Sequence, residues 1–291
     1  MGITQKQLER RQNYIGSSDI APVLGLVTYG RTAMQVWLEK TGKVEMDIAI
    51  TPEQEAGNIF EPSILNWFKG QVGPIIKNQR RVKREYHLAA NIDAITMIGG
   101  IPVEAKTVGM GGGYYSALNS SWGEPGTNQV ADHVLTQCHV HMICTDAEIC
   151  HVPVFIGGRG FGLYHVELDK ELKDIIIDKA IDFWENHVEK DIPPRDNTVS
   201  LAVAKRIIRT PKKIVPIPVD IYEEWDEAKK IANKWETVKE EATSQLLVAL
   251  GDAEAGEVDG VGTITYFEES RKGYTVEPKK FRQLRFKKFK I

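Results

Sequence analysis

Two carboxylates and a lysine lie close together in the segment 91–107, which reads NIDAITMIGGIPVEAKT. Carboxylate oxygens such as those of Asp93 and Glu104 suit hard divalent cations, Mg²⁺ or Mn²⁺. An ammonium such as that of Lys106 can position a water or stabilise charge that develops on a phosphate. The trio therefore indicates phosphodiester cleavage. For the pattern D-x10-E-x-K taken alone, a salt bridge on an exposed sheet face is the alternative.

The elements around these residues form a predicted hairpin. Apolar residues typical of strands occupy 87–98 and 101–108, and Gly99-Gly100 predicts a two-residue turn between them. In that register Asp93 faces Lys106, and the second carboxylate lies diagonally on the same sheet face. Three charges then converge on one rigid hairpin.

The other elements follow from periodicity and end signals. One helix, within 32–42, is expected to end at Gly42. The next is expected to begin after Thr51 as its N-cap, with Pro52 at the first helical position. The further predicted elements are a helix over 131–145, strands over 148–156 and 161–168, a helix over 169–190, a long charged helix within 218–250 and a hairpin of 260–269 with 273–281.

Composition limits the class of protein. A chain of 291 residues with 42% hydrophobic residues can bury a large core. The N-terminal segment has no apolar stretch for a signal peptide, and no run is long enough to cross a bilayer, so a cytoplasmic protein is expected. Three cysteines, Cys138, Cys144 and Cys150, are an odd number in a short window, which fits a reducing compartment.

The C-terminal tail is strongly basic, although the formal net charge is -3. From Arg271 onward, Glu277 is the only acid, and aromatic residues alternate with cations such as Arg282 and Arg285. This pattern suits contact with a polyanion such as DNA. A solvated amphipathic tail is the alternative.

Four blocks occur in order between residues 10 and 194: RRQNYIGSSDIAPVLG, GNIFEPSIL, NIDAITMIGGIPVEAKT and HVLTQCHVHM. Together they resemble the YqaJ-like viral recombinase family of phage alkaline exonucleases, relatives of lambda exonuclease within the PD-(D/E)XK nuclease superfamily. By this resemblance Asp93 and Glu104 bind metal with the Ala105 carbonyl, Lys106 is the catalytic lysine, and Glu61 supports a second ion or its water.

The same resemblance implies further site residues. Gln137 matches the glutamine of the helix that packs over the site, and Arg11 with Ser18 matches the pair that receives the 5'-phosphate of a DNA end. Ser17 is the alternative to Ser18, and both serines could instead form a helix N-cap. His141 shares the helix face of Gln137 and is expected to reach DNA in a cleft. The chain departs from the family pattern, since Ile92 replaces the proline before Asp93 and His139 stands where relatives carry a second glutamine.

Two rival sites are conceivable in the same region. A zinc site would draw on Cys138, His139, His141, Cys144, Cys150 and His151. Their spacing is poor for zinc, which favours buried cysteines and hydrogen-bonded histidines. The glycine-rich segment 109–113 has no following Gly-Lys-Ser/Thr, so a nucleotide-binding loop is disfavoured and a mobile loop beside the site is the expectation.

The combined expectation is an α/β protein with a restriction-endonuclease-like core, in which helices flank a central mixed sheet. Residues 1–195 would form the exonuclease core and 196–291 a helical and hairpin extension with the basic tail. The expected activity is Mg²⁺-dependent (or Mn²⁺-dependent) degradation of linear duplex DNA from its ends, 5' to 3', exposing 3' single strands for phage-type recombination. Expected partners are DNA ends, a phage single-strand annealing protein and further copies of the chain in a ring trimer, without a membrane, in a phage-infected or prophage-carrying bacterium. The alternatives are a DNA-binding module with a vestigial site, or an endonuclease on the same core.

Overall fold

A computed structural model describes residues 11–26, 30–45, 50–109, 122–195 and 199–268. The chain divides into two compact units, one ending at Arg209 and the other beginning at Thr210. Among the described residues, no helix is both long and apolar enough to span a bilayer.

The helices begin where capping residues predict. The described helices are α1 (Ile20–Val23), α2 (Ala33–Lys40), α3 (Pro52–Val72), α4 (Asp132–Thr145), α5 (Lys170–Phe183), α6 (Leu201–Lys205) and α7 (Val219–Leu250). Thr51 caps α3: its hydroxyl accepts from the Gln54 amide at 3.3 Å, while the Gln54 side chain accepts from the Thr51 amide at 3.1 Å. Pro52 follows at the first helical position, where its missing N–H costs nothing. The helix continues through Pro62 to Val72.

One mixed sheet forms the centre of the first unit. Its strands are β1 (Ile15–Gly16), β2 (Ile75–Lys83), β3 (Leu88–Thr96), β4 (Pro102–Val103), β5 (Lys106–Val108), β6 (Ile149–Ile156) and β7 (Gly160–Glu167). The long strands β3 and β6 run through the sheet, and the short strands β4 and β5 lie along β6 as parallel partners. β2 pairs antiparallel with β3, and β7 pairs antiparallel with β6. β2 has no counterpart among the elements expected from the sequence.

The hairpin turn differs from its prediction. The Thr96 amide donates to the Ile101 carbonyl at 3.0 Å, so four residues rather than two make the turn, and Ala94 pairs with Val103. The Thr96 hydroxyl holds this wider turn, because it accepts from the Ile101 amide at 2.9 Å and donates to the Ile98 carbonyl at 2.7 Å. The predicted pairing of Asp93 with Lys106 is therefore wrong by two positions. A shift of two residues keeps the same side chains on each face.

Helices flank the sheet and bury its apolar side chains. Leu65 and Phe68 of α3 pack with Ala94 and Val103 of the hairpin. A separate cluster joins Cys138 and neighbouring residues of α4 to β6 and β7. Each fully buried aliphatic or aromatic side chain contributes about 1.5–3 kcal/mol. The predicted α/β class, with a central mixed sheet flanked by helices, is confirmed.

Residues beyond the predicted boundary at 195 still pack on the first unit. Val44 forms a β-bridge with Ile207, the Glu45 amide donates to the Arg206 carbonyl at 3.0 Å, and Val203 is buried in the core. The assignment of 1–195 and 196–291 as functional domains stays a prediction.

The second unit contains the predicted long helix and a hairpin. The helix is α7, and the hairpin joins β8 (Ala255–Val258) to β9 (Gly262–Thr265) in an antiparallel pair. β9 thus pairs with β8, which precedes it in the sequence, whereas the prediction paired it with a later segment. The predicted partner segment 273–281 lies outside the described residues.

Candidate active site

Asp93 and Glu104 lie beside the short break between β4 and β5. Asp93 lies on β3, and Glu104 and Ala105 are the two residues that join β4 to β5. The Glu104 amide still donates to the His151 carbonyl of β6 at 2.9 Å, so the chain keeps its place beside that strand. The Ala105 amide donates to Asp93 Oδ2 at 2.8 Å. This bond ties the two strands together at the predicted metal ligands.

Lys106, Glu104 and Gln137 form a closed hydrogen-bonded group. Lys106 Nζ donates to Glu104 Oε1 at 2.5 Å and to Gln137 Oε1 at 3.0 Å. Gln137 Nε2 donates to the same Glu104 oxygen at 2.7 Å. Gln137 lies on α4, so this helix fixes the orientation of both charged groups. The Lys106 side chain is 24% exposed and that of Glu104 5%, which leaves the ammonium as the outer member.

Together with Asp93, this group has more negative than positive charge. Burial raises the pKa of Asp93 well above its usual value, and the nearby Glu104 carboxylate raises it further, while Lys106 opposes both. Burial acts to lower the pKa of Lys106, but the charge and hydrogen bond of Glu104 raise it, so the lysine stays protonated. One ammonium does not neutralise two buried carboxylates.

Glu61 of α3 adds a third carboxyl. Its pKa is raised, first by burial and then by Glu104, and Lys77 and Lys106 act in the opposite direction. The pKa of Glu61 responds to Glu104 and Lys106, so α3 places this carboxyl close to the other charged groups of the site. The structure thus brings together Glu61, Asp93, Glu104 and Lys106.

These residues fit a hard divalent cation. Glu104 Oε2 is buried without a hydrogen-bond partner among the described residues, with His141 Nε2 3.5 Å away, and a cation would stabilise such a buried carboxylate oxygen. The described residues contain no group of three or more His, Cys, Asp or Glu side chains placed to hold a metal. Mg²⁺ keeps several waters and needs only one or two carboxylates, so Asp93, Glu104 and the Ala105 carbonyl are an adequate set of protein ligands.

The prediction that His141 contacts DNA is wrong. Its side chain has no exposed surface, and its Nε2 lies 3.5 Å from Glu104 Oε2. Burial lowers the pKa of His141, so the ring is neutral near pH 7. His141 therefore lies behind Glu104, in the protein interior. His133, one α4 turn before Gln137, was not foreseen: burial and then Lys106 lower its pKa to about 4.

Two of the histidines considered for zinc, His139 and His151, make other hydrogen bonds. All three cysteines are free and buried. His139 Nδ1 lies 2.8 Å from the Leu135 carbonyl, and its Nε2 accepts from the Asp169 amide at 3.0 Å. His151 pairs with His165 through their Nδ1 atoms at 2.9 Å.

A second charged cluster surrounds Asp19, which is 1% exposed. Lys40 Nζ lies 2.6 Å from Oδ2, Arg31 Nη1 2.7 Å from Oδ1, and Arg11 Nη2 3.9 Å from Oδ1. The Gly16 amide also donates to Oδ2 at 2.8 Å. Burial acts to raise the pKa of Asp19, but the three cations outweigh it and hold the pKa far below its usual value. Arg31 and Lys40 were missed, because no local spacing links them to Asp19.

The predicted phosphate-binding residues lie at the outer side of this cluster. Arg11 is the most exposed of the three cations at 33%, and Arg31 is held by a second carboxylate as well, that of Glu39 at 2.5 Å. Ser18 is exposed whereas Ser17 is buried. Ser18 is therefore the better placed of the two serines to meet a ligand from solvent. Arg282 and Arg285 lie outside the described residues, as does most of the glycine-rich segment.

Replacing Asp19 by Asn should destabilise the protein by about 3–5 kcal/mol, because it leaves buried cations without their counter-charge. The measurement is the free energy of unfolding from urea titration. Asp146→Asn is the matched control, since Asp146 is 78% exposed and pairs only with Lys83 at the surface. That control should change stability by about 0–1 kcal/mol. Equal effects of the two substitutions would contradict the structural role of Asp19.

Several known proteins are similar to this chain. The structure of an alkaline exonuclease from Laribacter hongkongensis has a TM-score of 0.49 at 15% identity and covers 65% of this chain and 94% of its own. That of a putative exonuclease from Eubacterium rectale has a TM-score of 0.42 at 10% identity and covers 75% and 97%. Both are partial likenesses.

The sequence relatives are more specific. Protein YqaJ of Bacillus subtilis (strain 168) is 28% identical over 184 residues, which make up 62% of this chain and 55% of that protein. The chain thus matches about half the length of this curated relative. The model of the YqaJ-like viral recombinase domain matches residues 6–148, a range that includes Arg11, Asp93, Lys106 and Gln137. Residues 6–148 are therefore similar to the YqaJ-like viral recombinase domain family, as the four sequence blocks indicate.

Proposed function

We propose that this chain is a metal-dependent deoxyribonuclease that degrades linear duplex DNA from its ends, 5' to 3', and exposes 3' single strands for phage-type recombination. The observation that carries the proposal is the cluster in which Glu104, Lys106 and Gln137 are joined by hydrogen bonds of 2.5–3.0 Å, with Asp93 held beside Glu104 by the Ala105 amide at 2.8 Å. The cluster lies within the part of the chain that matches the model of the YqaJ-like viral recombinase domain.

Each residue of the cluster has a chemical role in this proposal. Asp93, Glu104 and the Ala105 carbonyl would hold Mg²⁺ or Mn²⁺, which supplies a more acidic water and neutralises charge on the scissile phosphate. Lys106 orients the attacking water or stabilises the negative charge that develops on the phosphate. Glu61, with its raised pKa, stands ready to accept a proton from that water.

Gln137 is a positioning residue. It donates to Glu104 and accepts from Lys106, so it keeps both groups in one orientation. Without it, the ammonium and the carboxylate would still attract each other but would not be fixed relative to the sheet. Residues that hold ligands from behind in this way are part of what makes a metal site selective.

Arg11 and Ser18 would bind the terminal 5'-phosphate and thereby select DNA ends. Arg11 is charged and 33% exposed, and Asp19 restrains it without burying it. Guanidinium and hydroxyl groups are good donors for phosphate oxygens. A single-strand annealing protein as partner, assembly into a ring and a phage or prophage setting complete the proposal.

The proposal is tested with linear duplexes that carry 5'-phosphate or 5'-hydroxyl ends and with a covalently closed circle of the same sequence. The protein should consume the phosphorylated linear duplex with Mg²⁺, leave it intact with a chelator, and spare the circle. Cleavage of the circle would indicate an endonuclease. If the protein reduces the electrophoretic mobility of the duplex but does not degrade it with Mg²⁺ or with Mn²⁺, the chain is a DNA-binding module.

Replacing Arg11 by Gln should remove most of the preference for phosphorylated ends. A hydrogen bond to a charged group contributes about 1.5–3 kcal/mol, so the ratio of rates on 5'-phosphate and 5'-hydroxyl ends should fall by about 10-fold or more. The rate on hydroxyl ends is the internal control, because it should change little. An unchanged ratio would assign end selection to other residues.

A further inference from the structure

β2 has an unusual concentration of positive charge. Its nine residues, IIKNQRRVK, include four basic residues and no acidic one. The chain as a whole has 37 basic and 40 acidic residues, so this strand departs from the average composition. Among the described strands β2 pairs only with β3, which leaves its other edge open.

Three of the four cations are available at the surface. Lys83 is engaged by Asp146, with distances of 2.7 and 2.8 Å to its two oxygens. Lys77, Arg80 and Arg81 are exposed. Within the described part of the chain, neither arginine makes an ion pair with a carboxylate; Arg81 Nη1 donates to the Arg80 carbonyl at 3.0 Å, on its own strand.

The strand connects the two clusters of the candidate site. Lys77 lies close enough to Glu61 to oppose the rise of its pKa. Arg80 Cζ lies 5.9 Å from the centroid of the Tyr14 ring, and Tyr14 directly precedes β1 and lies four residues before Ser18. Cations of β2 therefore lie near both the catalytic carboxyls and the residues proposed to hold the DNA end, and they project from both faces of this strand because successive side chains alternate.

We propose that the open edge of β2 binds the phosphate backbone of the duplex, with Arg80 and Arg81 as its principal contacts. The inference rests on the proposed function and assigns the surface along which the duplex lies. Lys77 and Arg81 are separated by about 13 Å at about 3.3 Å per residue, which is comparable with about four base pairs of duplex at about 3.4 Å each. Arginine also pairs with phosphate through two parallel hydrogen bonds.

A competing explanation is that the cations only protect an edge strand from pairing with another chain. The two explanations differ in a measurable quantity, the salt dependence of DNA binding. Each lysine or arginine that neutralises a phosphate releases counterions, and the logarithm of the binding constant falls with the logarithm of salt concentration. Edge protection alone leaves that slope unchanged.

The experiment measures binding of a phosphorylated duplex in a chelator, so that no cleavage occurs, over a range of KCl concentrations. Three variants are compared with the wild type: Arg80→Gln/Arg81→Gln, the charge-conserving Arg80→Lys/Arg81→Lys, and the control Lys170→Gln/Lys179→Gln. The control removes two exposed cations from a different element, α5. Thermal unfolding of each variant checks that the fold is retained.

The glutamine variant should have a slope smaller by about two, at about 0.9 for each phosphate that the protein no longer neutralises. The lysine variant should keep most of the wild-type slope, and the α5 control should keep all of it. Equal slopes for the wild type and the glutamine variant would overturn the inference, and so would an equal reduction in the control. If the wild type degrades linear duplex but the slopes are equal, only this inference fails; if the wild type neither binds nor degrades duplex, the proposed function fails with it.

Discussion

Lys106→Met should slow Mg²⁺-dependent degradation of linear duplex by about 10²–10³-fold, the usual effect of removing one group that stabilises transition-state charge. Methionine keeps an unbranched apolar side chain but cannot donate the hydrogen bonds that Lys106 makes to Glu104 and Gln137. The measurement is the turnover rate at saturating DNA and Mg²⁺. Lys179→Met, on the exposed surface of α5, is the matched control and should degrade DNA at the wild-type rate.

Metal affinity separates a catalytic role of Lys106 from a structural one. Removing the ammonium takes a positive charge away from Glu104, so Mn²⁺ binding to the variant should be no weaker than to the wild type. A variant that loses metal affinity together with activity would mean that Lys106 maintains the shape of the site. Turnover at the wild-type rate would exclude it from the chemistry.

Asp93→Asn should weaken Mn²⁺ binding by at least about 10–100-fold, the effect that removing even a residue behind a metal ligand usually has. Asparagine can still accept the hydrogen bond that the Ala105 amide donates to Asp93, so the local backbone should be kept. Calorimetric titration of Mn²⁺ measures the change, and degradation of linear duplex should disappear with it.

Although Asp93→Asn should weaken metal binding, it should not destabilise the metal-free protein. Burial first, and then the nearby Glu104 carboxylate, raise the pKa of Asp93, and asparagine removes the charge that both disfavour. The metal-free variant should therefore unfold at the same temperature as the wild type or higher. Added Mg²⁺ should stabilise the wild type through ligand binding to the native state, and the variant much less. Wild-type Mn²⁺ affinity in the variant would remove Asp93 from the metal site.

Local signals were enough to predict the long helices and most of the strands that position the site. The cap at Thr51 with Pro52 after it predicts the start of α3, and the apolar periodicity of 131–145 predicts α4. Asp93, Glu104 and Lys106 could be chosen because they interrupt apolar strands with charge, and that signal needs no knowledge of the tertiary structure.

The features that the sequence did not reveal depend on particular side-chain hydrogen bonds, on exposure and on tertiary packing. The width of the hairpin turn is set by the hydroxyl of Thr96, which a preference for two-residue glycine turns does not take into account. β2 was missed because its cations obscure the apolar alternation of a strand that exposes most of its length. His141 has the spacing of a polar helix face, but the packing of α4 on the sheet buries it completely.

The Asp19 cluster shows the same limit. A serine pair followed by an aspartate is typical of a helix N-cap, and Asp19 does accept a hydrogen bond from the Gly16 amide. Its buried pairing with Lys40 and Arg31 could be found only in the folded chain. The cost of leaving a carboxylate unpaired at 1% exposure explains why the fold brings cations to it.

The most direct test of the account is the fate of a labelled 5'-terminal nucleotide on a phosphorylated linear duplex incubated with the protein and Mg²⁺. The account predicts that the label is released early as a mononucleotide, that the complementary 3' end survives as a single strand, and that Asp93→Asn releases nothing. Label retained in long fragments while the duplex disappears, or release that continues undiminished in Asp93→Asn, would contradict it.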